Sequence, residues 1–259
     1  MNEVQSINAI TAPDAPVFPS VKVKPSGFLG IVMLDTRFPR PPGDIGCAET
    51  WTGHGITVDL HVVTGIWPDK VVQSAAGLRA GRIVPAFVAV ARQLERRGAK
   101  AITTSCGFLV LLQKELQSAV KVPMITSSLM QLPGLLKEHS RVGVLTISAG
   151  SLGKEHLRSA GVPRERLGDV LVQGVESKGE FATQILGNRN TLDLEKAQQE
   201  VVASAVALKV RAPDLAHLVL ECTNMPPYRA AIEAATGLIT YALTDDLRLL
   251  KPWLPKEPL

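Results

Sequence analysis

Two cysteines occupy matching positions in this chain of 259 residues. Cys106 and Cys222 each follow a short apolar run, and each precedes a segment with helical spacing. Backbone N–H groups at a helix N-terminus stabilise a thiolate, so we expect the pKa of these thiols to be lowered. If the two sulfurs flank one sp³ carbon, one removes a proton and the other returns a proton to the opposite face. The pair predicts acid–base chemistry at a carbon atom.

The third cysteine, Cys47, lies in a loop rich in proline and glycine and has no counterpart in the other half, so we interpret it as incidental. An odd count without a C-x-x-C pair does not suit a disulfide framework or a zinc knuckle, and it fits a reducing compartment. His54 and His61 have no cysteine or carboxylate at metal-ligand spacing. The glycine-rich patterns of nucleotide-binding loops are absent from the sequence. We expect no metal and no cofactor.

The composition is that of an ordinary globular protein, with 46% hydrophobic and 20% charged residues. The formal net charge of +4 is spread along the chain, and only 4% of residues are aromatic, so we expect no nucleic-acid partner. No apolar run reaches the length of a membrane span, and the N-terminus lacks the pattern of a secretory signal. These features predict a cytoplasmic protein, and the mild excess of positive charge would suit a small anionic substrate.

The two cysteine motifs belong to a longer internal repeat. The cysteines are 222 − 106 = 116 positions apart, and the same offset aligns residues 122–126 with residues 238–242. Residues 30–36 resemble residues 143–148 at an offset of 113. The chain therefore reads as one α/β unit written twice.

The hydrophobic pattern predicts strands that alternate with helices. The predicted strands are 28–34, 56–64, 101–104, 123–126, 142–146, 169–175, 217–220 and 238–243. The predicted helices are 83–97, 108–120, 129–139, 148–159, 181–186, 192–211, 229–235 and 245–250. This alternation predicts an α/β fold of two pseudo-symmetric three-layer lobes, each with a parallel sheet flanked by helices, and an active site in the cleft between them.

The predicted domain boundaries follow from the repeat and from the proline-rich N-terminus. Residues 1–25 contain four prolines and form an extended arm. Residues 26–128, together with about 226–259, form the first lobe, and residues 129–225 form the second.

Several polar residues near the strand ends have two interpretations each. Arg37 and Arg40 start the loop after the first strand, where they either bind a substrate carboxylate or lie on the surface. Asp35 either faces the cleft or caps a turn, and Ser105 either contacts substrate or caps the following helix. Glu221 either orients substrate or binds the backbone.

Both cysteine motifs, residues 103–108 and 220–226, resemble the aspartate/glutamate racemase superfamily, as do the hydroxyl residues after the first strand of each half. That superfamily contains amino acid racemases that use no cofactor, hydantoin racemase, maleate isomerase, arylmalonate decarboxylase and algal-type dimethylsulfoniopropionate lyases. The resemblance covers roughly residues 28–250 and implies Cys106 and Cys222 as the acid and base. The implied substrate-binding residues are Asp35, Thr36, Arg37, Ser105, Gly107, Phe108, Thr146, Ser148, Thr223 and Asn224.

The chain departs from the racemase pattern beside both cysteines. Gly107 and Phe108 stand where glutamate and aspartate racemases commonly have Asn and Thr, and Asn224 stands where a histidine is usual. These departures argue against glutamate or aspartate as the substrate. The string LDTRFPRPPGDIG, residues 34–46, resembles the branch that contains the lyases.

Three functions remain open on these residues. The first is a racemase or epimerase of a small carboxylate such as an amino acid, with two-base proton transfer between the cysteines. The second keeps the cysteines but yields an isomer, a decarboxylated acid or an eliminated alkene, as in a dimethylsulfoniopropionate lyase. The third is a small-molecule binding protein without catalysis. Symmetry statistics and the resemblance both favour a homodimer.

Overall fold

The computed structural model describes residues 27–80 and 82–254. The N-terminal arm predicted for residues 1–25 lies outside the described residues. Eight strands form within the described part of the chain. They are β1 (Phe28–Leu34), β2 (Val58–Val63), β3 (Ala99–Thr104), β4 (Met124–Ile125), β5 (Val142–Thr146), β6 (Val170–Gly174), β7 (His217–Leu220) and β8 (Ile239–Tyr241).

Helices connect these strands. The α-helices are α1 (Ala48–Thr52), α2 (Pro68–Val71), α3 (Ala75–Ala80), α4 (Val84–Arg96), α5 (Gln113–Ala119), α6 (Leu132–Glu138), α7 (Lys154–Ser159), α8 (Glu180–Leu186), α9 (Leu194–Arg211), α10 (Arg229–Thr236) and α11 (Leu247–Leu250). Short 3₁₀ helices cover Gly107–Leu112, Ser128–Gln131, Arg164–Asp169, Pro226–Tyr228, Leu243–Asp245 and Lys251–Trp253. Among the described residues, no helix is both long enough and apolar enough to cross a membrane.

The strands form two parallel sheets of four strands, and the strand order is the same in both. β1 lies between β2 and β3 in the first sheet, with β4 beyond β3; β5 lies between β6 and β7 in the second, with β8 beyond β7. Every pairing between these strands is parallel. The shared order confirms the predicted repeat and the two-lobed α/β fold.

The last strand corrects the predicted lobe boundary. β8 pairs with β7, with Ile239 opposite His217, although the sequence placed residues from about 226 onwards in the first lobe. Helix α10 likewise packs against α9 of the second lobe. Only the chain beyond β8 crosses back, where Leu243, Leu249 and Leu250 pack on the outer face of the first sheet. The reason is the repeat itself, because β8 completes the second sheet as β4 completes the first.

Side chains of β1 alternate between two apolar cores, as the twofold period of a strand requires. Val32 and Leu34 enter the larger core, which continues across both sheets. Leu29, Ile31 and Met33 enter a smaller core on the opposite face, together with α1 and the C-terminal segment. The strand is therefore buried on both faces, as its unbroken apolar sequence predicted.

Local structure differs from the sequence prediction near both halves of the cleft. The helix predicted over residues 108–120 is a 3₁₀ helix at Gly107–Leu112 followed by α5, and the helix predicted over residues 148–159 is only α7. Gly153 precedes α7 in an extended conformation, with φ −96° and ψ 178°, so no helix continues through it. The loop between β1 and β2 contains the short helix α1, which the sequence did not predict.

Candidate active site

A narrow cavity lies at the carboxyl ends of β1, β3 and β7, where ligand sites of parallel sheets occur. Its empty volume is about 340 Å³, and both Cys106 and Cys222 line it. The other lining residues are Leu34, Thr36, Phe38, Arg40, Pro68, Val72, Ser105, Gly107, Phe108, Ile147, Ile185, Glu221, Thr223 and Asn224. The cavity combines two thiols, one carboxylate and one guanidinium with a largely apolar wall.

The two segments that carry the cysteines are hydrogen-bonded to each other. Thr223 Oγ1 donates to the carbonyl oxygen of Ser105 at 2.7 Å. The Ser105 hydroxyl accepts the backbone N–H of Leu34 at 2.9 Å, which adds the end of β1 to the same junction. Cys106 is 8% exposed and Cys222 is 7% exposed. The ends of three strands therefore hold both thiols in one buried cavity.

Both thiols are protonated near neutral pH. Burial raises the pKa of Cys106 to about 12, and the neighbouring Glu221 carboxylate adds to the rise. Burial and Glu221 also raise the pKa of Cys222 well above its usual value. The N–H groups of Phe108 and Leu109 lower the pKa of Cys106 but do not offset burial. The expectation of lowered thiol pKa values is therefore wrong, because desolvation of the thiolate outweighs the few N–H groups of a short 3₁₀ helix.

Arg40 supplies the positive charge of the cavity and is held from several sides. Its guanidinium donates to Asp44 Oδ1 at 2.7 Å and to Thr36 Oγ1 at 3.0 Å. It also lies over the ring of Phe38, 4.6 Å from the ring centroid. The Arg40 and Asp44 side chains are only 10% and 2% exposed. A guanidinium fixed in this way is suited to bind a carboxylate, since its planar fork matches two carboxylate oxygens.

Asp44 connects Arg40 to the second cysteine. Its Oδ2 accepts the side-chain N–H of Asn224 at 2.6 Å, and its Oδ1 also accepts the backbone N–H of Gly46 at 2.7 Å. Asn224 Oδ1 in turn accepts from the Cys222 sulfur at 3.6 Å. Asn224 thus takes part in orienting the Cys222 thiol from the position where racemases commonly have histidine.

Glu221 lies beneath the cavity beside Gly107. Its Oε2 accepts the Thr146 hydroxyl at 2.7 Å, whereas its buried Oε1 has no hydrogen-bond partner among the described residues. A Cβ atom placed on Gly107 would lie 2.3 Å from Oε1 and 2.4 Å from the Glu221 carbonyl oxygen. Burial raises the pKa of this carboxyl to about 7, although the Thr146 hydrogen bond lowers it. Glycine at position 107 is required by the close approach of Glu221.

Four residues of the predicted site do not line this cavity. The Asp35 carboxylate accepts the N–H of Gly65 at 2.8 Å and so fixes the loop after β2. Arg37 is exposed, and its backbone N–H donates to the side chain of Asn188 at 2.8 Å. The hydroxyl of Thr146 is used by Glu221. The fourth residue, Ser148, hydrogen-bonds the side chain of Ser151 at 3.0 Å.

The structure brings the other eight predicted residues together around the cavity, and it adds Arg40, Asp44 and Glu221. The eight are Thr36, Ser105, Cys106, Gly107, Phe108, Cys222, Thr223 and Asn224. The sequence gives Arg40 and Glu221 two interpretations each, and it does not single out Asp44, which lies in a segment rich in proline and glycine. The spacing of four residues between Arg40 and Asp44 gave no signal of their ion pair, because side chains at this spacing face each other on a helix and the segment is a loop. Within the described residues, no group of three or more His, Cys, Asp or Glu side chains is placed to hold a metal ion.

Comparison with curated proteins finds relatives that share one activity in their names. The chain is 30% identical over 220 residues to a dimethylsulfoniopropionate lyase of Durusdinium sp. clade D, covering 82% of this chain and 70% of that protein. It is 26% identical over 220 residues to dimethylsulfoniopropionate lyase 7 and 27% identical over 230 residues to lyase 3 of Emiliania huxleyi, each over 81% of this chain. The chain spans 62% and 55% of these two algal proteins. No protein-family model matches the chain.

Solved structures with the same fold include a decarboxylase and racemases. A double mutant of arylmalonate decarboxylase in the liganded form matches with a TM-score of 0.52 at 14% identity, over 87% of this chain and 92% of that one. Glutamate racemase from Bacillus anthracis matches with a TM-score of 0.53 at 15% identity, over 88% and 80% of the two chains. These likenesses concern the fold. The lyase relatives show that the chain belongs to the family of these dimethylsulfoniopropionate lyases, and its fold is the one found in arylmalonate decarboxylase and in glutamate racemase.

Proposed function

We propose that this protein is a lyase that eliminates a leaving group from the β-carbon of a small carboxylate, with dimethylsulfoniopropionate as the first substrate to test. The sequence alone favoured a racemase or epimerase and kept the lyase as an alternative. The similarity to named dimethylsulfoniopropionate lyases over 82% of the chain moves the preference to the lyase. The family membership supports a lyase, and the lining of the cavity supports the roles given to its residues below.

The observation that carries the proposal is that Cys106, Cys222 and Arg40 line one cavity. In this proposal the Arg40 guanidinium binds the substrate carboxylate. Binding at this fixed point places the carbons of a short acid between the guanidinium and the two thiols. Such positioning converts proton abstraction into an intramolecular step, which is a large part of the rate enhancement in many enzymes.

The chemical step is an elimination with one cysteine as base. A cysteine thiolate takes the proton from the carbon next to the carboxylate. The electron pair of that C–H bond forms the carbon–carbon double bond, and the bond between the β-carbon and sulfur breaks with its pair on sulfur. The products are acrylate and dimethyl sulfide, and the proton remains on the cysteine until it is released.

The apolar wall suits the methylated end of such a substrate. Four of the lining residues, Phe38, Phe108, Ile147 and Ile185, are apolar. A sulfonium ion is stabilised over an aromatic face by the ring quadrupole. Apolar walls also exclude water, which strengthens the electrostatic interactions inside the site.

The direct test is dimethyl sulfide release from dimethylsulfoniopropionate, measured by headspace gas chromatography with acrylate measured in the same sample. Equal amounts of both products that increase with enzyme concentration are expected. Binding of the substrate without either product would support a binding protein, and the lyase proposal would be abandoned.

Replacement of Arg40 by lysine is expected to raise KM for dimethylsulfoniopropionate by roughly 10- to 100-fold, because a bidentate charged hydrogen bond worth about 1.5–3 kcal/mol becomes a single contact. Lysine keeps the charge, so Asp44 is not left as an unpaired buried carboxylate. Steady-state kinetics measure KM and kcat separately.

The matched control is Arg37→Lys, three positions away on the exposed surface. It is expected to leave KM unchanged. An Arg40→Lys enzyme with the KM of the unmodified protein would show that the carboxylate is held elsewhere.

The second candidate is a racemase or epimerase of a small carboxylate, and it is favoured by one feature, the presence of two cysteines in the same cavity. Elimination needs one base, whereas inversion of a stereocentre needs groups on both faces. Incubation of single enantiomers of amino acids in D₂O, followed by chiral chromatography and mass spectrometry, separates the two. Inversion with deuterium incorporation and no alkene product would favour the racemase.

A further inference from the structure

One buried carboxylate near the two thiols has no role in the chemistry described so far. Glu221 is 1% exposed, lines the cavity, and is the residue directly before Cys222. It is the one carboxylate among the described residues that line this cavity. Its Oε2 is held by Thr146, while Oε1 is buried without a hydrogen-bond partner in the described structure. Buried carboxylate oxygens are normally hydrogen-bonded, so an unpaired one calls for an explanation.

The proposed elimination also requires a way to form a thiolate. A cysteine acts as a base only as a thiolate, but burial keeps both thiols protonated near neutral pH. A proton acceptor inside the cavity is therefore needed before the substrate proton can be taken.

The ionisable groups around the thiols leave few choices. Arg40 lies near Cys106 but has no acceptor atom. Asp44 lies near Cys222, but its two oxygens are occupied by Arg40, Asn224 and Gly46. Burial raises the pKa of the Tyr228 phenol, with Asp44 and Cys222 adding to the rise, so it holds its own proton.

Neither thiol donates to Glu221 Oε1 in the described structure. We propose that, when substrate binds, a cysteine thiol turns toward this oxygen, and that Glu221 accepts its proton and so generates the thiolate base. The proton leaves sulfur, the S–H electron pair stays on sulfur, and the carboxylate becomes a carboxylic acid. No other reactant is consumed. Glu221 thus acts on the substrate only through the cysteine whose proton it accepts. The proposal rests on the proposed function in two respects, because it requires a cysteine as base and a substrate that carries a cationic group.

Substrate charge supplies the driving force for this transfer. A cationic group beside a thiol favours the thiolate and lowers the thiol pKa. When the thiol proton moves to Glu221, the carboxylate loses its negative charge and the sulfur gains one. The new charge lies next to the cationic group of the substrate. The same step in the absence of a cation is unfavourable, which keeps the thiolate from forming without substrate.

The first test is the pH dependence of kcat in Glu221→Gln. Because burial raises the pKa of the Glu221 carboxyl to about 7, kcat of the unmodified enzyme is expected to rise between about pH 6 and pH 8 as this carboxyl loses its proton. Glutamine has the same shape but accepts no proton, so kcat at pH 8 should fall by roughly 100-fold or more and the rise near pH 7 should disappear. An unchanged profile would overturn the proposal.

The second variant, Thr146→Val, keeps Glu221 and removes the hydroxyl that lowers its pKa. Loss of a hydrogen bond to a charged group corresponds to about one pKa unit, so the rise in kcat should move about one unit to higher pH. Thr103→Val is the matched control, since Thr103 is equally buried but donates to the carbonyl oxygen of Ile125. A shift of equal size in both variants, or in neither, would contradict the assignment.

Thiol alkylation tests the same coupling without any substrate. In a Cys47→Ser background, the rate of iodoacetamide labelling of Cys106 and Cys222 reports the thiolate fraction, with the labelled peptides identified by mass spectrometry. Glu221→Gln removes a negative charge that raises the pKa of both thiols, so labelling should be faster by roughly tenfold although turnover falls. Equal labelling rates with and without Glu221 would overturn the proposal even if dimethylsulfoniopropionate is not the substrate. Faster labelling alongside no lyase activity in any form would instead contradict only the proposed function.

Discussion

Replacement of either Cys106 or Cys222 by alanine is expected to lower kcat for dimethylsulfoniopropionate by roughly 10²- to 10⁴-fold, the usual contribution of a general acid or base. Elimination needs a single base and both thiols line the same cavity, so the variant with the larger loss identifies the cysteine that takes the proton. Serine variants are expected to lose as much, because an alcohol is a far weaker acid than a thiol. Dimethyl sulfide release under saturating substrate measures the loss.

The control for this experiment is Cys47→Ala. Cys47 is only half-buried and lies at the start of α1, away from the cavity lining. Its replacement should leave kcat unchanged. Full activity in both the Cys106 and the Cys222 variants would remove the cysteines from the mechanism, and with them the proposed function.

Gly107→Ala is expected to destabilise the protein by about 3 kcal/mol, at the upper end for an overpacked core position. The added methyl group would lie 2.4 Å from the Glu221 carbonyl oxygen, which is fixed because the Glu221 N–H donates to the Leu145 carbonyl at the end of β5. For a domain of this size, that loss corresponds to a fall in Tm of roughly 10 °C. Thermal unfolding followed by circular dichroism measures it.

Gly134→Ala provides the comparison, because Gly134 lies inside α6 and a methyl group there would meet no atom within 4 Å. This variant should be neutral or slightly more stable, since alanine is favoured over glycine in a helix. Combining Gly107→Ala with Glu221→Ala should not restore stability, because the backbone oxygen remains. A Tm for Gly107→Ala equal to that of the unmodified protein would contradict the packing argument.

The Gly107 contact explains a departure that the sequence could only record. Racemases commonly have asparagine after the first cysteine, but an asparagine side chain here would collide with Glu221. Positions 107 and 221 are therefore linked by packing, although they are more than a hundred residues apart in the chain. Glu221 Oε1, which lies beside Gly107, has no hydrogen-bond partner among the described residues and is the acceptor in the proton transfer proposed above.

Sequence patterns were sufficient where the information is local or repeated. The apolar runs of β1 and β5 mark strands buried on both faces, and the offset of the two cysteines reveals the duplicated unit. Sequence patterns were insufficient where a strand pairs with a strand that is distant in the chain. β8 was placed in the wrong lobe because its short sequence does not specify whether it pairs with β4 or β7.

The amino-acid sequence by itself determined the fold class, the repeat and the two thiols at equivalent strand ends, because these depend on hydrophobic periodicity and residue type. The tertiary structure alone decided which polar residues share the cavity with them. It selected Arg40 over Arg37, joined Asp44 to Asn224, and turned Thr146 from a predicted substrate contact into a partner of Glu221. It also reversed the expected shift in thiol pKa, since burial depends on atoms brought together from both halves of the chain and on no single stretch of it.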